Sequence, residues 1–165
     1  MRKLVILSLL LVGLAGCATN APYGNFAAAP LDLNQKMADA TAAQLVALYP
    51  PAKTRFNLKQ PTTDAYGASL VDALRAKGYA LLEFVPQGAG QGSQQAAASA
   101  SAPQAASQPV AAAQQGGLDL RYIVDAPATT NLYRVTVLVG QESISRAFVS
   151  QNGTVVPAGA WVRKE

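Results

Sequence analysis

The first regular hydrophobic period in the chain begins after Leu31 and ends before Pro50. Four positions with helical spacing form its apolar stripe: Met37, Thr41, Leu45 and Leu48. Asp32 is placed to cap the first turn, and Pro50 with Pro51 stops the run. This pattern predicts an amphipathic helix whose stripe packs into a core.

A second helix is predicted between Asp64 and Gly78. Thr62 or Thr63 can cap its N-terminus, and Asp64 suits the positive end of the helix dipole. Gly78 supplies a left-handed C-terminal cap. The buried stripe of this helix is predicted at Tyr66, Leu70, Val71 and Leu74.

Alternation of apolar and polar residues predicts strands in the rest of the chain. Thr54–Gln60 alternates in this way, and Tyr79–Val85 is an almost continuous apolar run that we expect to be covered on at least one face. The C-terminal third contains four further predicted strands: Leu118–Asp125, Tyr133–Val139, Ser143–Ser150 and Thr154–Arg163.

The last two of these strands are joined by Asn152 and Gly153, the strongest short hairpin signal that a sequence carries. Pro157 and Gly159 interrupt the final strand. Because proline cannot donate to the ladder, we expect this strand to lie at an edge of the sheet or to contain a bulge.

Residues 86–117 differ from everything around them. They consist almost entirely of Ala, Gln, Ser, Gly and Pro, with no charge and no aromatic residue. Such a segment buries too little apolar area to offset the entropy of ordering it, so it is predicted to be a disordered insertion.

Residues 32–85 contain two helices with apolar stripes, and residues 118–165 are nearly pure sheet. Because the stripes and the bare face of the sheet complement each other, we predict one α+β domain. Its helices pack on a mixed or antiparallel sheet, and the low-complexity segment 86–117 is a long disordered insertion. The alternative is two small modules joined by a flexible linker.

Residues 1–16 have the pattern of a lipoprotein signal peptide. Arg2 and Lys3 precede a run of Leu, Val and Ile that is too short to span a membrane. The run ends in Leu-Ala-Gly-Cys at residues 14–17, which resembles the lipobox of bacterial lipoproteins. This resemblance implies that Cys17 is the lipidation site and the first residue of the mature chain.

Residues 17–31 contain no charged residue and no regular hydrophobic period. They are predicted to be a tether between the lipid and the fold.

Ala18 follows Cys17, whereas Asp at this position is associated with retention in the inner membrane. The resemblance to lipoproteins therefore implies that the protein lies on the periplasmic face of the outer membrane. The lipid on Cys17 would hold it there, because several acyl chains anchor far more firmly than one.

The amino-acid composition excludes most of the residue combinations that enzymes use for catalysis. The chain of 165 residues has no histidine and one cysteine, so it has no Ser-His or Cys-His pair, no His-bearing metal site and no intrachain disulfide. Its carboxylates form no convincing pair, and no phosphate-loop lysine follows the glycines at 88–92. We expect a protein that is not an enzyme and has no cofactor, no metal and no small-molecule substrate.

Charge gives no sign of a nucleic-acid ligand. The formal net charge of +4 falls to +2 when Arg2 and Lys3 are removed with the signal peptide. The remaining cations are scattered among carboxylates rather than gathered into a stripe, so no direct contact with nucleic acid is expected.

Most aromatic residues occupy the apolar phase of their element and are predicted to lie in the core: Phe56, Tyr66, Tyr79, Phe84, Tyr122, Tyr133 and Phe148. Trp161 differs because it follows the break at Pro157 and Gly159 and precedes Arg163. It is predicted either as a core residue or as an anchor for a partner protein.

Four parts of the chain together resemble one family. They are the lipobox, LVALYPPA at residues 45–52, AYGASLVDALRAKGY at residues 65–79, and the hairpin at Asn152 and Gly153. These stretches are similar to the TrbH lipoproteins of plasmid conjugation. The resemblance implies a structural component of the mating-pair formation apparatus, a type IV secretion system, with other subunits of the conjugative channel as partners. No catalytic residues carry over, and only Cys17 transfers, as the lipidation site.

Two other function classes stay open from the residues. One is a periplasmic binding module or chaperone unrelated to conjugation. The other is a periplasmic enzyme acting on cell-wall material, which the missing histidine and the unpaired acids disfavour. Neighbouring conjugation genes would favour the structural lipoprotein over both.

Overall fold

The computed structural model describes residues 21–86, 116–128 and 130–165. Within these ranges two helices, α1 (Leu31–Leu48) and α2 (Ala65–Ala76), and a short 3-10 helix at Pro51–Lys53 lie among eight strands. The strands, in chain order, are β1 (Gly24–Asn25), β2 (Arg55–Leu58), β3 (Ala80–Leu82), β4 (Leu118–Asp125), β5 (Leu132–Val139), β6 (Glu142–Gln151), β7 (Thr154–Pro157) and β8 (Val162–Lys164).

All of these strands belong to one mixed sheet. Its main order is β3-β2-β4-β5-β6-β7, in which the first three strands are parallel and the others pair antiparallel. β1 pairs in parallel with the C-terminal half of β4, and β8 pairs with the N-terminal half of β6. Both helices contribute to a core on one face of this sheet. The predicted α+β class, two helices on a mixed sheet, is confirmed.

Strands from the two sides of the low-complexity segment pair directly with each other. Phe56 in β2 lies opposite Leu118 in β4, and the two strands run in parallel. The N-terminal and C-terminal strands therefore share one sheet, and the two helices belong to the same core.

Several expectations concern residues outside the described ranges. They are the signal peptide at 1–16, the lipidation of Cys17, and the disorder of the insertion at 86–117 apart from Pro86, Gly116 and Gly117.

Helix α1 buries most of its predicted stripe. Met37, Thr41 and Leu45 are buried, and Leu48 is half-buried against the core. The start of the helix differs from the prediction, because Pro30 occupies the N-cap position and no side chain caps the helix there. Asp32 lies within the first turn instead, where its charge suits the helix dipole.

Helix α2 buries its whole predicted stripe and ends, as predicted, before a Gly78 with a φ of +87°. The expected caps were wrong, since Asp64 rather than Thr62 or Thr63 is the N-cap residue. An Asp64 carboxylate oxygen accepts a hydrogen bond from the backbone nitrogen of Gly67 at 2.9 Å. Asp64 has the extended backbone conformation that brings a cap side chain within reach of these amides.

The core lies between the helices and the adjacent face of the sheet. Its largest fully buried side chains are Tyr66, Tyr122, Phe56, Phe148, Met37, Leu45, Leu70, Leu74, Leu120, Ile144, Val124 and Val135. Of the predicted core aromatics, Tyr79 is also buried and Tyr133 is half-buried. The prediction was wrong for Phe84, which is 39% exposed.

Strand β3 is shorter and more exposed than the apolar run predicted. Only Ala80–Leu82 forms the strand, and Val85 beyond it is 66% exposed. The reason is topological, because β3 lies at an edge of the sheet and pairs only with β2. A continuous apolar run therefore does not imply burial at this position.

Part of the expected tether belongs to the fold. Gly24 and Asn25 pair with β4, and the backbone nitrogen of Phe26 donates to the Val124 carbonyl at 2.7 Å. Ala27 is buried in the core. This pairing uses backbone groups, which leave no side-chain period in the sequence.

The hairpin signal between β6 and β7 is confirmed. Asn152 and Gly153 have φ angles of +51° and +72°, as the favoured two-residue hairpin turn requires. The final predicted strand is divided, since β7 ends at Pro157 and β8 begins at Val162. Both parts pair with the same strand, β6, and form the border of the sheet beside it, so the predicted interruption at an edge is confirmed.

Candidate functional site

We use the name C-terminal edge for β7 and β8, the border of the sheet where the sequence predicts docking. β7 pairs with the end of β6 and β8 with its beginning. Between them Gly159 has a φ of +124°, which L side chains rarely adopt. The backbone nitrogen of Ala158 donates to the Ala147 carbonyl at 2.8 Å, so the break stays close to β6. Within the described residues no further strand pairs with the outer side of this edge.

The indole of Trp161 lies half-buried beside this edge. It meets the ring of Phe148 edge to face, with ring centroids 6.2 Å apart and an interplanar angle of 78°. The guanidinium carbon of Arg146 lies 5.6 Å from the Trp161 centroid and 5.8 Å from the Phe148 centroid. Arg146 Nε also donates to the Gly159 carbonyl at 2.9 Å. Trp161 therefore holds the edge to the core, and a role in binding a partner stays a prediction.

A polar cluster at the end of α1 links that helix to β6 and β8. The Tyr49 hydroxyl and the Arg163 guanidinium both donate to Glu142, and the Tyr79 hydroxyl donates to the Tyr49 carbonyl. Two hydrogen bonds lower the pKa of the Glu142 carboxyl. The bond from Tyr49 has the larger effect, and the bond from Arg163 has the next largest. Burial, with help from Glu142, raises the pKa of Tyr49 to about 12. At neutral pH the cluster is thus a charged carboxylate held by a neutral phenol and a guanidinium.

A second polar cluster joins α2 to the middle of the sheet. The Tyr122 hydroxyl donates to the Asp64 carboxylate, which is also the helix cap. The Tyr66 hydroxyl donates to Thr41 Oγ1 at 2.9 Å. Burial raises the pKa of both tyrosines, so both phenols stay neutral donors. These bonds connect elements of the fold to one another, and they are satisfied without an external ligand.

Gly67 is the residue that makes room for this contact. A Cβ atom at this position would lie 2.1 Å from the Tyr122 hydroxyl oxygen and 2.9 Å from the Thr62 Cα. Sequence reasoning treated Asp64 only as a charge near a helix end and missed the cluster. Asp64 and Tyr122 are 58 positions apart, so no local sequence pattern indicates that they form a cluster.

The other carboxylates on the sheet are paired with cations. Lys59 lies 3.5 Å from Asp119, and Arg134 lies 2.7 Å from Asp125. No group of three or more His, Cys, Asp or Glu residues within the described part of the chain is placed to hold a metal ion.

The predicted lipidation site precedes the described fold. Cys17 is seven positions before Gly24, the first residue of β1. Among the residues that the structure describes, no helix combines the length and the apolar character needed to cross a membrane.

These features define a small α+β protein in which two helices cover one face of a mixed sheet and its polar clusters tie those elements together. A family model described as conjugal transfer protein TrbH matches residues 20–165. The chain belongs to this family, which confirms the resemblance seen in the sequence and gives the protein a role in conjugal transfer. No curated protein and no solved structure matches it.

Proposed function

We propose that this protein is a structural lipoprotein of the conjugative mating-pair formation apparatus, a type IV secretion system. It is anchored by lipid on Cys17 to the periplasmic face of the outer membrane, and it acts by associating with other channel subunits. The observation that carries this proposal is the extent of the family match, which begins at residue 20, just after the lipobox cysteine, and spans the whole described fold.

Association is favoured over catalysis because the carboxylates of the fold are engaged in contacts between its own elements. The chain contains no histidine. The carboxylates of Asp64, Glu142, Asp119 and Asp125 each accept a bond or pair with a cation from another element. They stabilise the packing of the fold, so we infer that the protein is not an enzyme and needs no cofactor.

The C-terminal edge is the surface that we assign to a channel subunit. A strand at the border of a sheet can accept a strand from another protein through its free backbone groups. Val162 on β8 is 63% exposed, and the half-buried Trp161 lies next to it. A large aromatic side chain beside such an edge can supply much of the binding energy.

The lipid anchor is tested by replacing Cys17 with Ser and following mass and membrane fractionation. We expect loss of the attached lipid and loss of the protein from the outer-membrane fraction. Ala18→Asp is the matched variant, because it keeps the cysteine and should move the acylated protein to the inner membrane. An unchanged mass and location for Cys17→Ser would contradict the lipoprotein assignment.

Association is tested in cells that carry the complete transfer system. Trp161→Ala should reduce copurification with channel subunits and lower the transfer frequency, while Trp161→Phe should retain most of both. Thermal unfolding of each purified variant separates a docking defect from a folding defect. A folded Trp161→Ala protein with normal copurification and transfer would remove Trp161 from the docking surface.

A further inference from the structure

The sheet has a second face that the helices do not cover. In β4, β5 and β6 the buried residues alternate with positions such as Ile123, Leu138 and Val149, none of which is buried. We call this side of the sheet the uncovered face. No described element packs across it, because α1 and α2 both belong to the core on the opposite side.

The positive charge of the fold is concentrated on the uncovered face. By strand register it carries five cations: Arg55, Lys59, Arg121, Arg134 and Lys164. It carries two carboxylates, Asp119 and Asp125, and both are ion-paired with cations of the same face. Its net charge is therefore +3, whereas all described residues together carry 11 cations and 9 carboxylates, a net charge of +2. The rest of the fold is left slightly acidic.

An aromatic side chain adds apolar area beside these cations. Asn25 points to the helix side, where its amide donates to Asn34 on α1. Gly24, which is in register with Ile123, therefore lies on the uncovered side, and alternation places Phe26 on the same side. The Phe26 ring is 60% exposed, so it is free to contact another surface.

The predicted lipid site lies close to this face. The seven positions from Cys17 to Gly24 span at most about 25 Å when fully extended. β1 pairs with β4 inside the sheet rather than at the C-terminal edge. An anchored chain therefore keeps the middle of the sheet near the lipid surface, where even a weak attraction acts at high effective concentration.

We propose that the uncovered face lies against the bilayer that holds the Cys17 lipid. Its cations contact anionic phospholipid headgroups, and Phe26 enters the interface beside them. This inference rests on the proposed lipid anchor. It assigns the sheet face to the membrane and leaves the C-terminal edge free for a channel subunit. A second copy of the chain or an acidic protein surface is the competing occupant, and the experiment below separates these from lipid.

The experiment attaches the protein to vesicles without relying on acylation in the cell. Cys17 is the only cysteine, so the chain starting at Cys17, which keeps every described residue, can be coupled there to a maleimide phospholipid. A single tryptophan is placed at position 26 by Phe26→Trp in a Trp161→Phe background. The control is Ala43→Trp, which reports from an exposed position on α1. Vesicles contain phosphatidylethanolamine and phosphatidylglycerol with a brominated lipid as quencher.

We expect strong quenching at position 26 and little at position 43, with the difference reduced at high salt or in pure phosphatidylcholine. Arg55→Gln with Lys164→Gln removes two cations of the uncovered face and should lower the ratio of docked to undocked protein about thirtyfold. The matched double variant, Lys53→Gln with Lys77→Gln, removes the same charge elsewhere and should change little.

Equal quenching at positions 26 and 43, or equal effects of the two double variants, would overturn the proposal. Chain-to-chain crosslinks through the uncovered face, without quenching at position 26, would overturn it in favour of a second copy. Because coupling to the vesicle is chemical, a failure of acylation in cells contradicts the proposed function and leaves this result interpretable on its own.

Discussion

At the scale of single residues, the fit between Gly67 and Tyr122 decides how α2 meets the sheet. The Tyr122 hydroxyl reaches the Asp64 cap only because position 67 has no Cβ atom. One carboxylate thus serves both as the cap of a helix and as the acceptor for a strand residue. Local helix formation and tertiary packing are coupled through this single group.

Gly67→Ala should therefore destabilise the protein although alanine favours helices. The new methyl group would lie 2.1 Å from the Tyr122 oxygen and 2.9 Å from the Thr62 backbone. We expect a net loss of about 1–3 kcal/mol in the free energy of unfolding, measured by urea denaturation. Gly116→Ala is the control, since no atom lies within 4 Å of its added methyl group. Equal stability of the Gly67→Ala variant and the unmodified chain would show that α2 can move to accommodate the methyl group without loss of stability.

The Glu142 cluster predicts a pH dependence on the acid side. The pKa of Glu142 is lowered in the folded protein by the bond from Tyr49 and then by the bond from Arg163. A lowered folded-state pKa means that the stabilisation is present above the unfolded value and is lost as pH falls through the folded value. We expect the original protein to be more stable than Glu142→Gln at neutral pH. This difference should shrink below about pH 4, as thermal unfolding across pH would show. A difference independent of pH would exclude charge as its origin.

At the scale of elements, the C-terminal edge is held by side chains rather than by a continuous ladder. The chain leaves the pairing with β6 between Pro157 and Val162. Arg146 then links the Gly159 carbonyl to the rings of Trp161 and Phe148. β8 therefore depends on Trp161 for its position, and docking at this edge depends on the same residue.

Trp161→Ala should lower the free energy of unfolding by about 1–3 kcal/mol, because the ring is half-buried and loses its contacts with Phe148 and Arg146. Trp161→Phe keeps an aromatic ring and should lose less. Hydrogen exchange of the β8 amides should rise in the alanine variant more than exchange in β4. Unchanged exchange in β8 would show that its pairing with β6 and the Arg163–Glu142 contact hold the strand without Trp161.

At the scale of the whole molecule, the parallel strands β3 and β4 are joined through the segment after residue 82. β2 lies between them in the sheet, so their connection only has to pass one intervening strand. The cost of closing such a loop grows slowly with its length. The length of the segment is therefore not demanded by the fold itself.

Replacing residues 88–115 by a Gly/Ser loop of about eight residues should change stability by no more than about 1 kcal/mol. Thermal and urea unfolding of the shortened chain would measure this. A control that scrambles the same residues at constant length separates length from sequence. A loss of several kcal/mol in either variant would contradict the prediction that the insertion is disordered.

Features that repeat over a few residues could be predicted from the amino-acid sequence. The stripes of α1 and α2, the alternation in β4 to β6 and the turn at Asn152 and Gly153 all follow from local geometry, because each period reports which side of an element is apolar. The break near Pro157 was predictable for the same reason, since a proline removes a donor from any ladder. The lipobox and the family resemblance are also local patterns, which is why they point to conjugation before any fold is known.

Contacts between residues far apart in the sequence depend on the arrangement of the elements and could not be predicted. Tyr49 and Glu142 are 93 positions apart, and the pairing of β1 with β4 involves backbone groups that carry no pattern. The exposure of β3 and the positive charge of the uncovered face depend on strand order, because a side chain is buried only if another element lies over it. Periodicity assigns each side chain to a face of its own element. The arrangement of elements then decides whether that face is covered, and so where the protein can bind.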